Sequence, residues 1–162
     1  DAPVGNKGTE AVAAAAPKSM DAKPLPAFEG QLMDGGTLST DDMKGEVVYL
    51  SFFASWCGPC RKELPELAML QEKYKDRKFR VVGVGVDAGA GGARKSEAMA
   101  RKYGADAYDV ILDPQNKVLG LFDVKSMPTT YIIDRNGVIQ HKQVGFGDTT
   151  VEKVTPIIEG LL

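Results

Sequence analysis

The nearly continuous apolar run Val47-Val48-Tyr49-Leu50-Ser51-Phe52-Phe53 is followed within a few residues by Cys57 and Cys60, the only cysteines of the chain. Such a run reads as a strand buried on both faces. From Cys60 onward, Leu64, Leu67, Ala68 and Leu70 recur at helical spacing with Arg61, Lys62, Glu63, Glu66, Glu72 and Lys73 between them, which predicts an amphipathic helix. A buried strand handing over to a helix is the building block of an α/β domain, and both sulfurs sit at the handover.

That position suits thiol chemistry. A helix N-terminus offers unpaired N–H groups and the positive end of the macrodipole, so the Cys57 thiolate is favoured over the thiol, with Arg61 and Lys62 nearby in sequence. Side chains three apart on a helix lie roughly 5–6 Å apart at Cβ, close enough to join as a disulfide after a small adjustment. Cys57, at the outer end, is expected to attack a partner's disulfide; Cys60 then attacks Cys57 and releases the reduced partner. Pro59 stiffens the turn where a missing N–H costs little, and Gly58 leaves the sulfur open to approach. Two other readings of the pair are a structural staple and half of a zinc site. Zinc takes about four ligands, and the other soft candidate reduces to His141, far along the chain. A staple closing so short a loop stabilises little.

The segment Trp56-Cys57-Gly58-Pro59-Cys60 resembles the active-site motif of the thioredoxin family. The following Arg61-Lys62-Glu63-Leu64-Pro65-Glu66-Leu67 resembles the branch of extracytoplasmic thiol-disulfide oxidoreductases that includes the TlpA, ResA and CcmG proteins. Further on, Ser126-Met127-Pro128-Thr129-Thr130 is similar to the segment that carries the family's cis-proline. The resemblance implies a thioredoxin-like α/β fold, with a mixed central sheet, helices on both faces, an N-terminal hairpin and a central αβ insertion. It also implies that Cys57 and Cys60 are catalytic and that Trp56, Gly58, Pro59, Met127 and Pro128 form the substrate surface, the Met127 backbone pairing with a client strand.

Around this centre the rest of the chain falls into place. Its 162 residues, 43% hydrophobic, suit one domain over residues 25–162, and residues 1–24 are expected to be a linker following a removed signal or anchor. The run Ala11–Ala16 is too short and too weakly apolar for a signal core. A net charge of -2 argues against nucleic acid as a partner, and no run of about 18 apolar residues is available to span a membrane. Asp34-Gly35 predicts a small hairpin within Phe28–Leu38. Pro65 falls inside the helix that follows the cysteines, where it is expected to kink it. Phe79–Val86 reads as a second buried strand, followed by a loop over Gly89–Lys95, a helix over Ser96–Tyr103, a strand over Tyr108–Leu112 and a short helix over Lys117–Phe122. The loop imitates a phosphate-binding motif, but Arg94 stands where its second glycine is required. Arg135-Asn136-Gly137 signals an antiparallel hairpin, and Thr149–Leu162 closes the chain as a helix.

The proton that leaves Cys60 needs a carrier. Thioredoxins place a buried acid on the strand before the motif, and the matching position here is Ser51. Asp87, at the carboxyl end of the second buried strand, is therefore the candidate for proton handling, with Glu63 a weaker one. Asp134 and Asn136 hint at a calcium loop, but the later glutamate is missing. His141, on the polar side of its strand, has no assigned role. Neither metal nor cofactor is expected.

The expected function is thiol-disulfide oxidoreductase, acting as a protein-disulfide reductase in the periplasm or another extracytoplasmic space. Its partners would be protein disulfides, among them those of apocytochromes c, and a membrane thiol-disulfide electron donor. The protein is expected to be monomeric and to meet the membrane only through its removed anchor. The Gly58-Pro59 pair resembles reducing thioredoxins, which points to a low potential. The alternative is a redox-sensing or client-binding module without turnover. A peroxidase is disfavoured because the proline and threonine expected upstream of a peroxidatic cysteine are missing.

Overall fold

The structure, a computed structural model, describes residues 22–162. The expected linker up to residue 21, including Ala11–Ala16, lies outside the described residues. The chain runs β1 (Lys23–Pro24), β2 (Glu29–Leu32), β3 (Thr37–Ser39), a 3-10 turn at Thr40–Met43, β4 (Val47–Phe53) and α1 (Gly58–Lys73). It continues with β5 (Phe79–Gly85), α2 (Gly92–Lys102), a 3-10 turn at Ala105–Ala107, β6 (Asp109–Leu112) and another at Leu119–Leu121. The last elements are β7 (Thr129–Ile133), β8 (Val138–Val144) and α3 (Thr150–Leu161).

The strands form one mixed sheet in the order β1-β8-β7-β4-β5-β6-β2-β3. β4, β5 and β6 are parallel, and the remaining pairings are antiparallel. Every residue of β4 is buried, as its central place requires. Because side chains alternate along a strand, Val47, Tyr49 and Phe53 face one cluster while Val48, Leu50 and Phe52 face the other. The first cluster takes in Leu64, Leu67 and Leu70 of α1, Met99 and Ala100 of α2, and Val154 and Ile158 of α3. The second is covered by Phe28, Leu38 and Met43 from the N-terminal segment and by Val118, Leu119 and Phe122 around the Leu119–Leu121 turn. Helices thus lie on both faces, but the three α-helices share one and short 3-10 turns serve the other.

The hairpin, the two central parallel strands, the Asn-Gly connection and the closing helix stand where the sequence places them. Three details differ. β1 pairs Lys23 with Ile139 and Pro24 with Val138, so the sheet begins before the boundary expected at Leu25. Two residues carry no periodicity for a sequence reading to detect. α2 starts at Gly92, four residues before the expected Ser96. A Cβ on Gly92 would lie 2.2 Å from the Asp87 carbonyl oxygen, so this glycine permits a close approach inside the helix's first turn and does not mark a loop. The helix expected over Lys117–Phe122 contracts to Leu119–Leu121, where the Asp113 carboxylate takes the N–H groups of Val118 and Leu119 at 3.1 and 2.9 Å. Asp134, the hint of a calcium loop, accepts the N–H groups of Asn136 and Val138 and the Gln140 side-chain amide, and so ties the β7–β8 hairpin.

Candidate active site

Three segments meet at the carboxyl end of β4. The first is the turn into α1, with Cys57 as its N-cap: the Cys60 N–H donates to the Cys57 sulfur at 3.2 Å. Cys57 and Cys60 are joined as a disulfide, with Cα atoms 5.4 Å apart. Cys57 is 3% exposed and Cys60 not at all, whereas the neighbouring Trp56 is 70% exposed. Gly58 and Pro59 are exposed, and a Cβ at Gly58 would meet open space. The helix runs on through Pro65. Arg61 and Lys62 are exposed in its first turns.

The second segment leads into β7. The Met127-Pro128 peptide bond is cis. Thr129 pairs with Phe52, so this bond lies beside the end of β4 that leads to the cysteines. The Pro128 carbonyl accepts the Gly145 N–H at 2.8 Å, which binds the end of β8 to the same edge. Met127 is half-buried against the cluster that contains both cysteines.

The third segment follows β5. Asp87 is buried, and its carboxylate accepts the Ser55 N–H at 3.0 and 3.2 Å, the Ser55 hydroxyl at 2.6 Å and the Ser96 hydroxyl at 2.7 Å. It therefore ties the turn before Cys57 to the first turns of α2.

Glu63, the weaker candidate of the sequence reading, lies one turn beyond Cys60 on α1 and is fully buried. The Ser51 hydroxyl donates to one carboxylate oxygen at 2.6 Å, and the Thr130 hydroxyl lies 3.2 Å from the other. Burial pushes the Glu63 carboxyl up to about 7, and the two hydroxyl hydrogen bonds pull against that rise. Ser51 stands at the thioredoxin position for a buried acid; here the acid comes from the helix and meets the serine from above. The signal was present in the sequence, because Glu63 falls between Cys60 and Leu64 on the apolar stripe of an otherwise amphipathic helix. Ser51, the one polar residue of a buried strand, marks its receptor. Thr130, which pairs with Ser51 across β4 and β7, carried no separate signal.

His141 lies on β8 with its Nε2 3.2 Å from the Gln143 side-chain oxygen. Among the described residues no group of three or more His, Cys, Asp or Glu side chains is placed to hold a metal ion. No helix among them is long and apolar enough to cross a membrane.

The chain is similar to known proteins over most of its described length. Residues 22–142 match the AhpC/TSA family. The thioredoxin-like protein YneN of Bacillus subtilis is 42% identical over 123 residues, which cover 74% of this chain and 69% of that protein. The thiol-disulfide oxidoreductase ResA of Bacillus cereus is 30% identical over 76% of this chain and 69% of its own length. A solved structure from Chlorobium tepidum, described as the thiol:disulfide interchange protein DsbE, superposes with a TM-score of 0.76 at 36% identity, covering 88% of this chain and 99% of that one. The chain belongs to the AhpC/TSA family. Within it, the fold and the paired cysteines make it a thioredoxin-like thiol-disulfide oxidoreductase.

Proposed function

We propose that the protein is a reductase of protein disulfides outside the cytoplasm, working through a dithiol-disulfide cycle at Cys57 and Cys60. The observation that carries this reading is a cysteine pair joined at the N-cap of α1, its outer member alone retaining exposure, beside a cis-proline. In the reduced state the Cys57 thiolate accepts the Cys60 N–H and attacks a client sulfur. The client disulfide breaks, a mixed disulfide forms, and the first client thiolate leaves and takes a proton from water. Cys60 gives its proton to Glu63 and attacks the Cys57 sulfur; the Cys57–Cys60 bond forms as the second client thiolate departs. Two electrons pass from the protein to the client, and a dithiol donor must restore them.

The client is met by Trp56, Gly58, Pro59, Met127 and Pro128. Trp56 supplies exposed aromatic surface, and the Met127 main chain is free of backbone hydrogen bonds among the described residues, as pairing with an extended client segment requires. Asp87, the first sequence candidate for the proton, keeps its carboxylate engaged with Ser55 and Ser96, and we assign the proton to Glu63. The resemblance of Arg61–Leu67 to the TlpA, ResA and CcmG branch supports an extracytoplasmic setting, a tether N-terminal to the domain, a membrane dithiol donor and apocytochromes c among the clients, and the relatives are themselves named as a thiol-disulfide oxidoreductase and a thiol:disulfide interchange protein. In this reading the residues ahead of Lys23 serve as the linker and the protein acts as a monomer.

The test is trapping. The Cys60→Ser variant accumulates mixed disulfides through Cys57, and Cys57→Ser accumulates none. Retention of full function by the double serine variant would sink the catalytic reading and leave a binding module. Equilibration against a dithiothreitol buffer at a potential near that of the strong oxidants would reverse the direction of transfer.

A further inference from the structure

Glu63 has to hold its proton and release it inside a site from which water is excluded. The geometry points to Ser51 and Thr130 as positioning residues for that exchange, two hydroxyls that rotate so that no polar group is left unpaired in either state of the carboxyl. The inference rests on the assignment of the Cys60 proton to Glu63.

The three groups form a closed ring. Ser51 Oγ is 2.6 Å from Glu63 Oε1, Thr130 Oγ1 is 3.2 Å from Glu63 Oε2, and the two hydroxyl oxygens are 3.1 Å apart. They come from neighbouring strands, since Ser51 and Thr130 pair across β4 and β7, and the carboxylate descends on them from α1. All three residues are buried, Thr130 at 1% and the others at 0% exposure.

A hydroxyl has one proton to give and two lone pairs with which to accept. With Glu63 ionised, Ser51 donates to Oε1 and Thr130 to Oε2. With Glu63 protonated on Oε2, that proton is donated to Thr130 Oγ1, the Thr130 proton turns to Ser51 Oγ, and Ser51 still donates to Oε1. Both arrangements pair every proton in the ring. The change between them is a rotation of the Thr130 hydroxyl, with no movement of the backbone. A buried donor or acceptor left unpaired costs about 1–3 kcal/mol, so a ring lacking either hydroxyl would favour one state of the carboxyl over the other.

The titratable groups that face the ring leave it to act alone. Tyr49 from β4 also hydrogen-bonds the Thr130 side chain. Burial first and then the Glu63 charge raise its phenol well above the usual range. Burial and Glu63 raise Tyr108, just before β6, in the same way, and its hydroxyl donates to the Leu64 carbonyl at 3.0 Å. Both remain neutral wherever a carboxyl titrates. The remaining neighbours are Cys57 and Cys60 on α1, which the cycle itself uses.

The experiment follows Cys60 attack in isolation. The reduced protein is mixed with 5,5′-dithiobis(2-nitrobenzoate), and the second release of coloured thiolate, which reports displacement from Cys57, is timed across pH. In Ser51→Ala and Thr130→Val, each lacking a donor to the ionised carboxylate, the midpoint of this phase moves to higher pH by about one unit, a tenfold change in the ionisation constant. Thr130→Ser keeps the hydroxyl and the original midpoint. The infrared carbonyl band that disappears in Glu63→Gln titrates with the same displacements in the oxidised protein, where no thiol takes part. Because Thr130→Val keeps the shape of the side chain, it isolates the hydroxyl should Ser51→Ala fold poorly. Midpoints unmoved in both variants, with Glu63→Gln still abolishing the transition, would overturn the role of the hydroxyls. A transition that survives in Glu63→Gln would instead overturn the assignment of the proton to Glu63.

Discussion

Two buried carboxylates flank the cysteine pair, and they are built for different work. Asp87 receives a backbone N–H and two hydroxyls from separate segments, Ser55 ahead of Cys57 and Ser96 on α2. Glu63 is deeper, receives hydroxyls only, and sits one turn from Cys60 with its carboxyl pushed up to about 7 by burial. The donors around each tell them apart: backbone amides cannot rotate to suit a protonated acid, whereas hydroxyls can.

The contrast breaks first, if it is wrong, at Glu63→Gln. General base catalysis is worth about 10²–10⁴-fold, so the Cys60 displacement step at neutral pH should slow about 100-fold in stopped-flow traces. An equal loss in Asp87→Asn with none in Glu63→Gln would exchange the two roles.

An effect of similar size concerns stability. The Glu63 carboxyl rises from its ordinary 4.5 to about 7 on folding, so between those values the folded state holds a proton that the unfolded state has released. Stability is then fullest below pH 4.5, falls as pH rises towards 7, and levels off above it. The loss amounts to about 3 kcal/mol at 1.36 kcal/mol per pH unit, measurable by urea melts of the oxidised protein. Glu63→Gln should remove this slope, and Asp87→Asn should leave it in place.

Asp87→Ala sharpens the other half of the contrast. Loss of hydrogen bonds to a charged acceptor should lower stability by about 2 kcal/mol, with no change in the pH midpoint of the displacement step. Smallest is Ser96→Ala, which removes one donor to Asp87 and should cost about 1 kcal/mol in the same melts.

Much of this was legible beforehand. The run Val47–Phe53, the two cysteines and the helix after them announce a strand, a turn and a reactive pair without any partner in view. Asp34-Gly35 and Asn136-Gly137 mark the two hairpins because each turn needs backbone that few residues supply. The cis bond at Met127-Pro128 followed from resemblance alone, since a proline by itself favours trans. What escaped detection depends on neighbours distant in sequence. The meeting of Glu63 with Ser51 requires knowing that β4 lies beneath α1, and the part played by Thr130 requires the pairing of β4 with β7. The early start of α2 depends on the Asp87 carbonyl oxygen against Gly92.

The two outermost strands carry a consequence of their own. Any sheet ends in rows of unsatisfied amides and carbonyls that invite a stray chain to add itself. Here one margin is Lys23–Pro24, a charged residue and one that lacks an amide proton, and the other is Thr37–Ser39, too brief to template much. In the proposed reading, these two end strands offer a client polypeptide little to pair with.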